Sequence, residues 1–146
     1  DGAIINWLSA EDVRKVVPHV GEGKEIVARI FVLPVEDREA VRTVATRSIA
    51  AYLNVPVYAA FHEWLGRGDA LAPMWAAWRA GDRAAATEAI PDEVVDQLIV
   101  HGSPADCRAQ LARYAENGVT TLAPMIMGGL DETRRMLREL APGRPS

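Results

Sequence analysis

Few side chains in this chain could do chemistry, and they are scattered. His19, His62 and His101 lie far apart, and His62-Glu63 lacks the second histidine that would set two metal ligands on one helix face. They read as satisfied or solvent-facing histidines. Cys107 falls on the apolar side of a helical pattern, and Ser103, followed by Pro104, reads as a helix cap rather than a nucleophile. Gly66-Arg67-Gly68 does not follow a strand pattern, so it is no phosphate loop. Gly128-Gly129 does follow one and precedes a helix. Backbone N–H groups at such a junction can receive an anion, and a plain glycine turn has the same spelling. Tyr52, Tyr58, Phe61, Trp64, Trp75 and Trp78 could line a pocket for a flat or apolar ring, although Tyr58, Phe61 and Trp64-Leu65 are also spaced as a helix core face. Asn6 and Trp7 stand at the carboxyl end of a strand pattern, the edge where parallel α/β proteins place ligand groups.

These residues need elements to position them. Residues 3–7 are a short apolar strand, followed by a helix that Ser9 caps, with Glu11 and Asp12 in its first turn and Val13, Val16, Val17 and Val20 on one face. Pro18 is expected to end or kink it. Gly21 and Gly23 turn the chain into residues 26–33, IVARIFVL, a β-branched run of the kind buried on both faces of a sheet. Arg29 is its only charge. Strand, helix and strand with short connections predict a right-handed parallel crossover. After Pro34, Glu36-Asp37 open a helix whose inner face is expected to be Val41, Val44, Ala45, Ser48 and Tyr52, with Arg38, Arg42 and Arg47 mostly outside. Four helical segments follow, the last over residues 91–100. The stretch 96–127 then reads as a helix end, the Ser103 cap, a helix carrying Cys107, Leu111, Tyr114 and Ala115, a Gly118 stop, and a strand over 119–126. A last helix begins near Asp131, and residues 142–146 are expected to be a disordered tail.

A chain of 146 residues has room for one core. Its net charge of −4 leaves no basic stripe for nucleic acid, and no stretch approaches the ~20 apolar residues of a membrane span. With a single cysteine there is no internal disulfide, and the cytoplasm is the default compartment. The chain opens without Met, directly before a strand, and is expected to be a fragment.

Taken in order, DGAIINWLSAEDVR, ARIFVLP, AYLNVPVYAAFHEWLG and VVDQLIVHGSPADCRAQLARYAENGVTTL resemble the C-terminal part of luciferase-like monooxygenases, particularly their coenzyme F-420-dependent oxidoreductases. The resemblance covers residues 1 to about 140. It implies a TIM (β/α)8 barrel that binds a flavin or deazaflavin at the carboxyl ends of its strands. A complete barrel takes ~250 residues. On that template the chain is a single partial α/β domain, the C-terminal portion of the barrel, with about three parallel strands and a large helical insertion at about 54–102. The implied cofactor of the complete protein is coenzyme F-420 or FMN, most of whose pocket this segment lacks. Asn6, Trp7, Pro34, Met125, Met127, Gly128 and Gly129 are the implied cofactor edge, and Tyr52, Asn54, Tyr58 and Phe61 the candidate lid or substrate contacts. No catalytic acid or base and no metal ligand can be named. The expected partners are a small-molecule substrate and a second copy of the chain, without nucleic acid or membrane. The segment is expected to be inactive in isolation; the alternative is a non-catalytic helical interaction or dimerisation module derived from such a barrel.

Overall fold

Strands β1 (Gly2–Asn6), β2 (Glu25–Leu33), β3 (Ile99–His101) and β4 (Thr121–Ile126) form one parallel sheet organised around β2 in the computed structural model, which describes residues 1–141. The expected tail at 142–146 lies outside the described residues. β1 pairs with β2 from Gly2 on Glu25 to Asn6 on Arg29, and β4 pairs with it from Thr121 on Val27 to Ile126 on Val32. Val27, Ala28 and Arg29 therefore have neighbours in both strands, which puts β1 and β4 on opposite edges of β2. β3 pairs with Phe31, Val32 and Leu33, the first two of which also face β4, so β3 continues the edge that β1 begins. A nine-residue strand is long enough to serve both. The sequence pattern extends a helix through residue 100, whereas the helix ends at Leu98 and the β-branched pair Ile99-Val100 joins the sheet.

Around the sheet, helix α1 (Ala10–Val20) is started by a reciprocal box: Ser9 Oγ accepts from Asp12 N at 3.1 Å, and Asp12 Oδ2 accepts from Ser9 N at 2.8 Å. Pro18 lies inside α1, and the helix stops at Gly21. Helix α7 (Pro104–Glu116), the last but one, has the same device. Ser103 Oγ accepts from Asp106 N at 3.2 Å while Asp106 Oδ2 accepts from Ser103 N at 3.0 Å and from its hydroxyl at 2.6 Å. These bonds, the hydroxyl's above all, hold the Asp106 carboxyl below its usual pKa.

The end of α7 is tied to α1. Tyr114 Oη donates to Leu8 O at 3.0 Å, Asn117 Nδ2 donates to Ala10 O at 2.6 Å, and Arg14 Nε donates to Asn117 Oδ1 at 2.7 Å. Gly118 has φ +111°, and a Cβ there would sit 3.0 Å from Val17 Cγ2, so both its backbone and its surroundings ask for glycine. Thr120 then sets the register of β4, its N donating to Ile26 O at 3.0 Å and its Oγ1 accepting from Ile26 N at 2.8 Å. Helix α8 (Leu130–Leu140) closes this unit, which comprises residues 1–37 and 98–141.

Residues 38–97 form a second compact unit, all helical: α2 (Arg38–Leu53), α3 (Pro56–Leu65), α4 (Gly68–Arg79), α5 (Arg83–Glu88) and most of α6 (Asp92–Leu98). α2 buries Val41, Ala45, Thr46, Ile49, Ala50 and Leu53. Val44 and Tyr52, expected on that face, are 40% and 41% exposed; the buried stripe is turned by about one residue because Ile49 and Leu53 take the core positions. Arg38 grips Asp96 with two bonds of 2.6 and 2.9 Å, and Arg42 pairs with Asp92 and donates to Glu88 O at 3.0 Å. Both arginines tie α2 to later helices. Trp75 Nε1 donates to Leu53 O at 2.8 Å, giving a buried indole its polar partner.

The α7 cap makes a testable claim. Ser103→Ala is expected to lower unfolding free energy by about 1 kcal/mol at neutral pH. Because the folded pKa of Asp106 is depressed, its contribution is present above the unfolded value near 3.8 and is lost as pH falls through the folded value. The wild-type advantage over the variant should therefore shrink below about pH 4, as followed by denaturant unfolding. A difference that stays constant down to pH 2 would contradict the assignment.

Candidate functional site

Because every strand of the sheet runs the same way, the carboxyl ends gather on one edge: Asn6-Trp7 after β1, Leu33-Pro34 after β2 and Ile126-Met127 after β4. Register also sorts the side chains by face. Ile26, Ala28, Ile30 and Val32 share one face with Leu122 and Pro124, which line a groove with Leu111 of α7 and Leu137 of α8. The four β2 residues are buried. Ile4, Asn6, Val27, Arg29, Phe31, Ala123 and Met125 point to the opposite face, where Ile4 is 76% exposed and Met125 37%.

Phe31 connects the groups of that face. Its ring stacks on the Trp7 indole with centroids 4.1 Å apart and planes at 26°. The Arg29 guanidinium lies 5.2 Å from the Phe31 centroid, within cation–π range, and Arg29 Nη2 is 2.8 Å from Met125 Sδ. Trp7 is only 2% exposed and has φ +53°, the one described residue other than glycine in that region. For a bulky side chain this backbone costs of order 1–3 kcal/mol and persists only where the surroundings over-determine it. Stacking and burial do so here.

The structure therefore brings Trp7 and Met125 together through two residues, Arg29 and Phe31, that the motif reading did not select. Arg29 was visible as the single charge in an apolar strand. Nothing in the sequence placed Phe31 beneath it. Asn6, half-buried, is the register neighbour of Arg29 on β1. Pro34 follows β2, where Val35 N turns back to Leu33 O at 2.7 Å and Val35 O accepts from Gly102 N at 3.0 Å. Met127 N donates to Val32 O at 2.7 Å, carrying the ladder one residue beyond β4. Gly128 and Gly129 are exposed, and Gly129 is the N-cap of α8 with an ordinary φ of −68°. Asp131 and Glu132 occupy the first turn of α8, so an incoming anion would meet two carboxylates at that helix end.

Tyr52, Asn54, Tyr58 and Phe61 belong to the helical unit 38–97. Tyr52 and Tyr58 meet edge to face at 6.4 Å, and Phe61 stacks on Trp64 at 6.0 Å. Asn54 Nδ2 donates to Ala50 O and Ala51 O, both at 2.7 Å, so its amide nitrogen is engaged in closing α2. Cys107 is buried, and burial first and the Asp106 charge second push its thiol up to about 11, which keeps it protonated at neutral pH. Among the described residues, no group of three or more His, Cys, Asp and Glu side chains is placed to hold a metal ion, and no helix is long and apolar enough to cross a membrane.

Comparison with known proteins gives this geometry a context. The family model described as luciferase-like monooxygenase matches residues 4–121. Among solved structures, the coenzyme F-420-dependent tetrahydromethanopterin reductase from Methanopyrus kandleri is similar in fold, with a TM-score of 0.68 at 18% identity over 94% of this chain. The match takes in 42% of the reductase, so the chain spans less than half the length of that relative. The fold is α/β with a parallel sheet, a portion of a TIM barrel. No curated protein matches.

The Trp7–Phe31 stack is open to a direct test. Phe31→Leu keeps an apolar side chain but removes the ring, and is expected to cost on the order of 1 kcal/mol beyond the change in buried area while weakening the near-ultraviolet circular dichroism of Trp7. An unaltered aromatic spectrum together with unaltered stability would show that Trp7 is held by other contacts.

Proposed function

This chain belongs to the luciferase-like monooxygenase family, and we propose that it supplies the later strands of a flavin- or deazaflavin-dependent oxidoreductase barrel acting on a small-molecule substrate. The observation that carries this reading is the sheet edge itself: half-buried Asn6 and Arg29 and exposed Met125 cluster on one face of parallel strands, toward their carboxyl ends. Ligand groups of parallel α/β barrels sit at that edge.

The residues present fit one side of a ring cofactor. Met125 and Met127 offer polarizable apolar contact, the Asn6 amide and the Arg29 guanidinium offer donors to polar ring atoms, and Pro34 and Gly128-Gly129 shape the rim. A bound flavin or deazaflavin such as coenzyme F-420 supplies hydride transfer, and a flavin can also activate oxygen. This chain's share is to bind and orient. The Trp7–Phe31 stack fixes the platform on which Arg29 rests, and Tyr52, Asn54, Tyr58 and Phe61 are the proposed substrate-side contacts. With only the later strands, the chain alone has one wall of a pocket and is proposed to be inactive in isolation. The rival reading, a non-catalytic interaction module, needs the packing residues and no ring site.

Titrating the chain with oxidised and reduced FMN and coenzyme F-420 separates the two. We expect weak but saturable changes in ring absorbance or fluorescence with at least one ring system, weakened at least tenfold by Met125→Glu, a change at an exposed position. Absence of saturable binding with every form would contradict the proposal and leave the interaction module.

A further inference from the structure

A groove runs between α3 and α4 inside the helical unit, and the charges at its two ends are unpaired. Gly68, at the start of α4, lies against Glu63 near the end of α3, with 3.5 Å from its Cβ position to Glu63 Cγ. Trp75, further along α4, donates its indole N–H to Leu53 O at 2.8 Å, ahead of α3. The two helices therefore run in opposite directions. Between them is a space of about 440 Å³, within the size range of small-molecule pockets. Ala59 and Ala60 leave it open on the α3 side, and the Trp75 and Trp78 indoles wall it on the α4 side. Arg83, from outside the groove, rests 3.8 Å from the Trp78 ring centroid and donates to Trp78 O at 2.7 Å, which holds that indole in place.

Glu63 stands at one end of the groove and Arg79 at the other, about 16 Å along α4 from Gly68. Helical side chains lean toward the N-terminus of their own helix. In antiparallel helices that turns the Glu63 carboxylate and the Arg79 guanidinium toward each other along the groove. They nevertheless form no ion pair, and neither side chain has a hydrogen-bond or ion-pair partner among the described residues. Asn54, just ahead of α3, keeps only its Oδ1 for a ligand because its Nδ2 closes α2. We propose that this groove binds a small flat ring carrying a basic group at one end and an acidic group at the other. The ring lies against Trp75 and Trp78, the base pairs with Glu63 and the acid with Arg79. Two side chains reaching inward shorten the span to one that a single ring with a substituent at each end fills. A ring with one charge would leave the opposite charge of the groove without a partner, and an uncharged ring would leave both.

The inference goes beyond the ring-cofactor reading and does not rest on it; of the substrate-side contacts proposed above, only Asn54 lines the groove. Nuclear magnetic resonance of the indole N–H signals of the chain, titrated with 4-(aminomethyl)benzoate, tests it, with benzoate and benzylamine as rings of one charge. The Trp75 and Trp78 signals are expected to move in a saturable way, with a dissociation constant on the order of a millimolar or tighter, while those of Trp7 and Trp64 stay in place. Glu63→Gln and Arg79→Gln should each weaken binding by about threefold to fivefold, the worth of one exposed ion pair. Benzoate should be indifferent to the first change and benzylamine to the second. Ala60→Leu, at an exposed helical position, should fill the groove and remove binding with the helical circular dichroism unchanged, whereas Met125→Glu should leave it intact. Trp75 and Trp78 signals that do not move, or rings of one charge that bind as tightly as the doubly charged one and ignore both charge variants, would overturn the proposal. The Ala60→Leu and Met125→Glu variants also keep this inference and the ring-cofactor reading apart, since each alters one site only.

Discussion

Hydrogen bonding on both edges of β2 is the constraint on which the sheet unit depends. Val27, Ala28 and Arg29 are held between β1 and β4, and Phe31 and Val32 between β3 and β4. A backbone so placed has its donors and acceptors used within the protein, and that suits a strand with a single charge among the eight residues after its first. The bonds also fix which side chains share a face, because a slip of one residue would exchange the faces. Ile26, Ala28, Ile30 and Val32 go to the helices, and Val27, Arg29 and Phe31 go to the other side. The positions of Asn6, Arg29 and Met125 follow from that alternation.

The two faces are finished differently. On the helical side, β4 is backed by α7 and α8, and the end of α7 is bonded to α1 through Asn117 and to Leu8, just ahead of α1, through Tyr114. On the other side the finishing is partial. Trp7, Phe31, Arg29 and Met125 support one another near the carboxyl ends, and further down Ile4 is exposed and Val27 half-buried. A strained Trp7 backbone, a cation resting on a ring and a thioether, and an exposed isoleucine distinguish this face from the helical one.

Much of this was legible in the sequence, wherever the signal was local. Ser103-Pro104 with Asp106 three residues after the serine, and Ser9 with Asp12, spell caps whose bonds run between neighbours in the chain. Gly118 marks a stop because its backbone conformation is one that glycine tolerates. The partners across the sheet were less legible. Ile99-Val100 continues the apolar pattern of the preceding helix, and only pairing with β2 makes it a strand. Tyr52 fits an inward helical position by period alone, yet Ile49 and Leu53 bury and leave it at the surface. Asn54 reads as a ligand-facing amide, and nothing local in the sequence shows that its Nδ2 also closes α2 on Ala50 O and Ala51 O. Arg29 could be noticed but not aimed, since the direction of a strand side chain follows from a register that spans about ninety residues of chain.

Amide hydrogen exchange along the sheet tests most directly the claim that β2 is its centre. The account predicts the slowest exchange of the sheet at residues 27–32, with faster exchange in β1 and β4, each of which pairs along one edge only among the described residues. If the amides of β2 exchanged as fast as those of β1 or β4, the sheet would not be organised around that strand, and the placement of Arg29, Phe31 and Met125 on a common face would lose its basis.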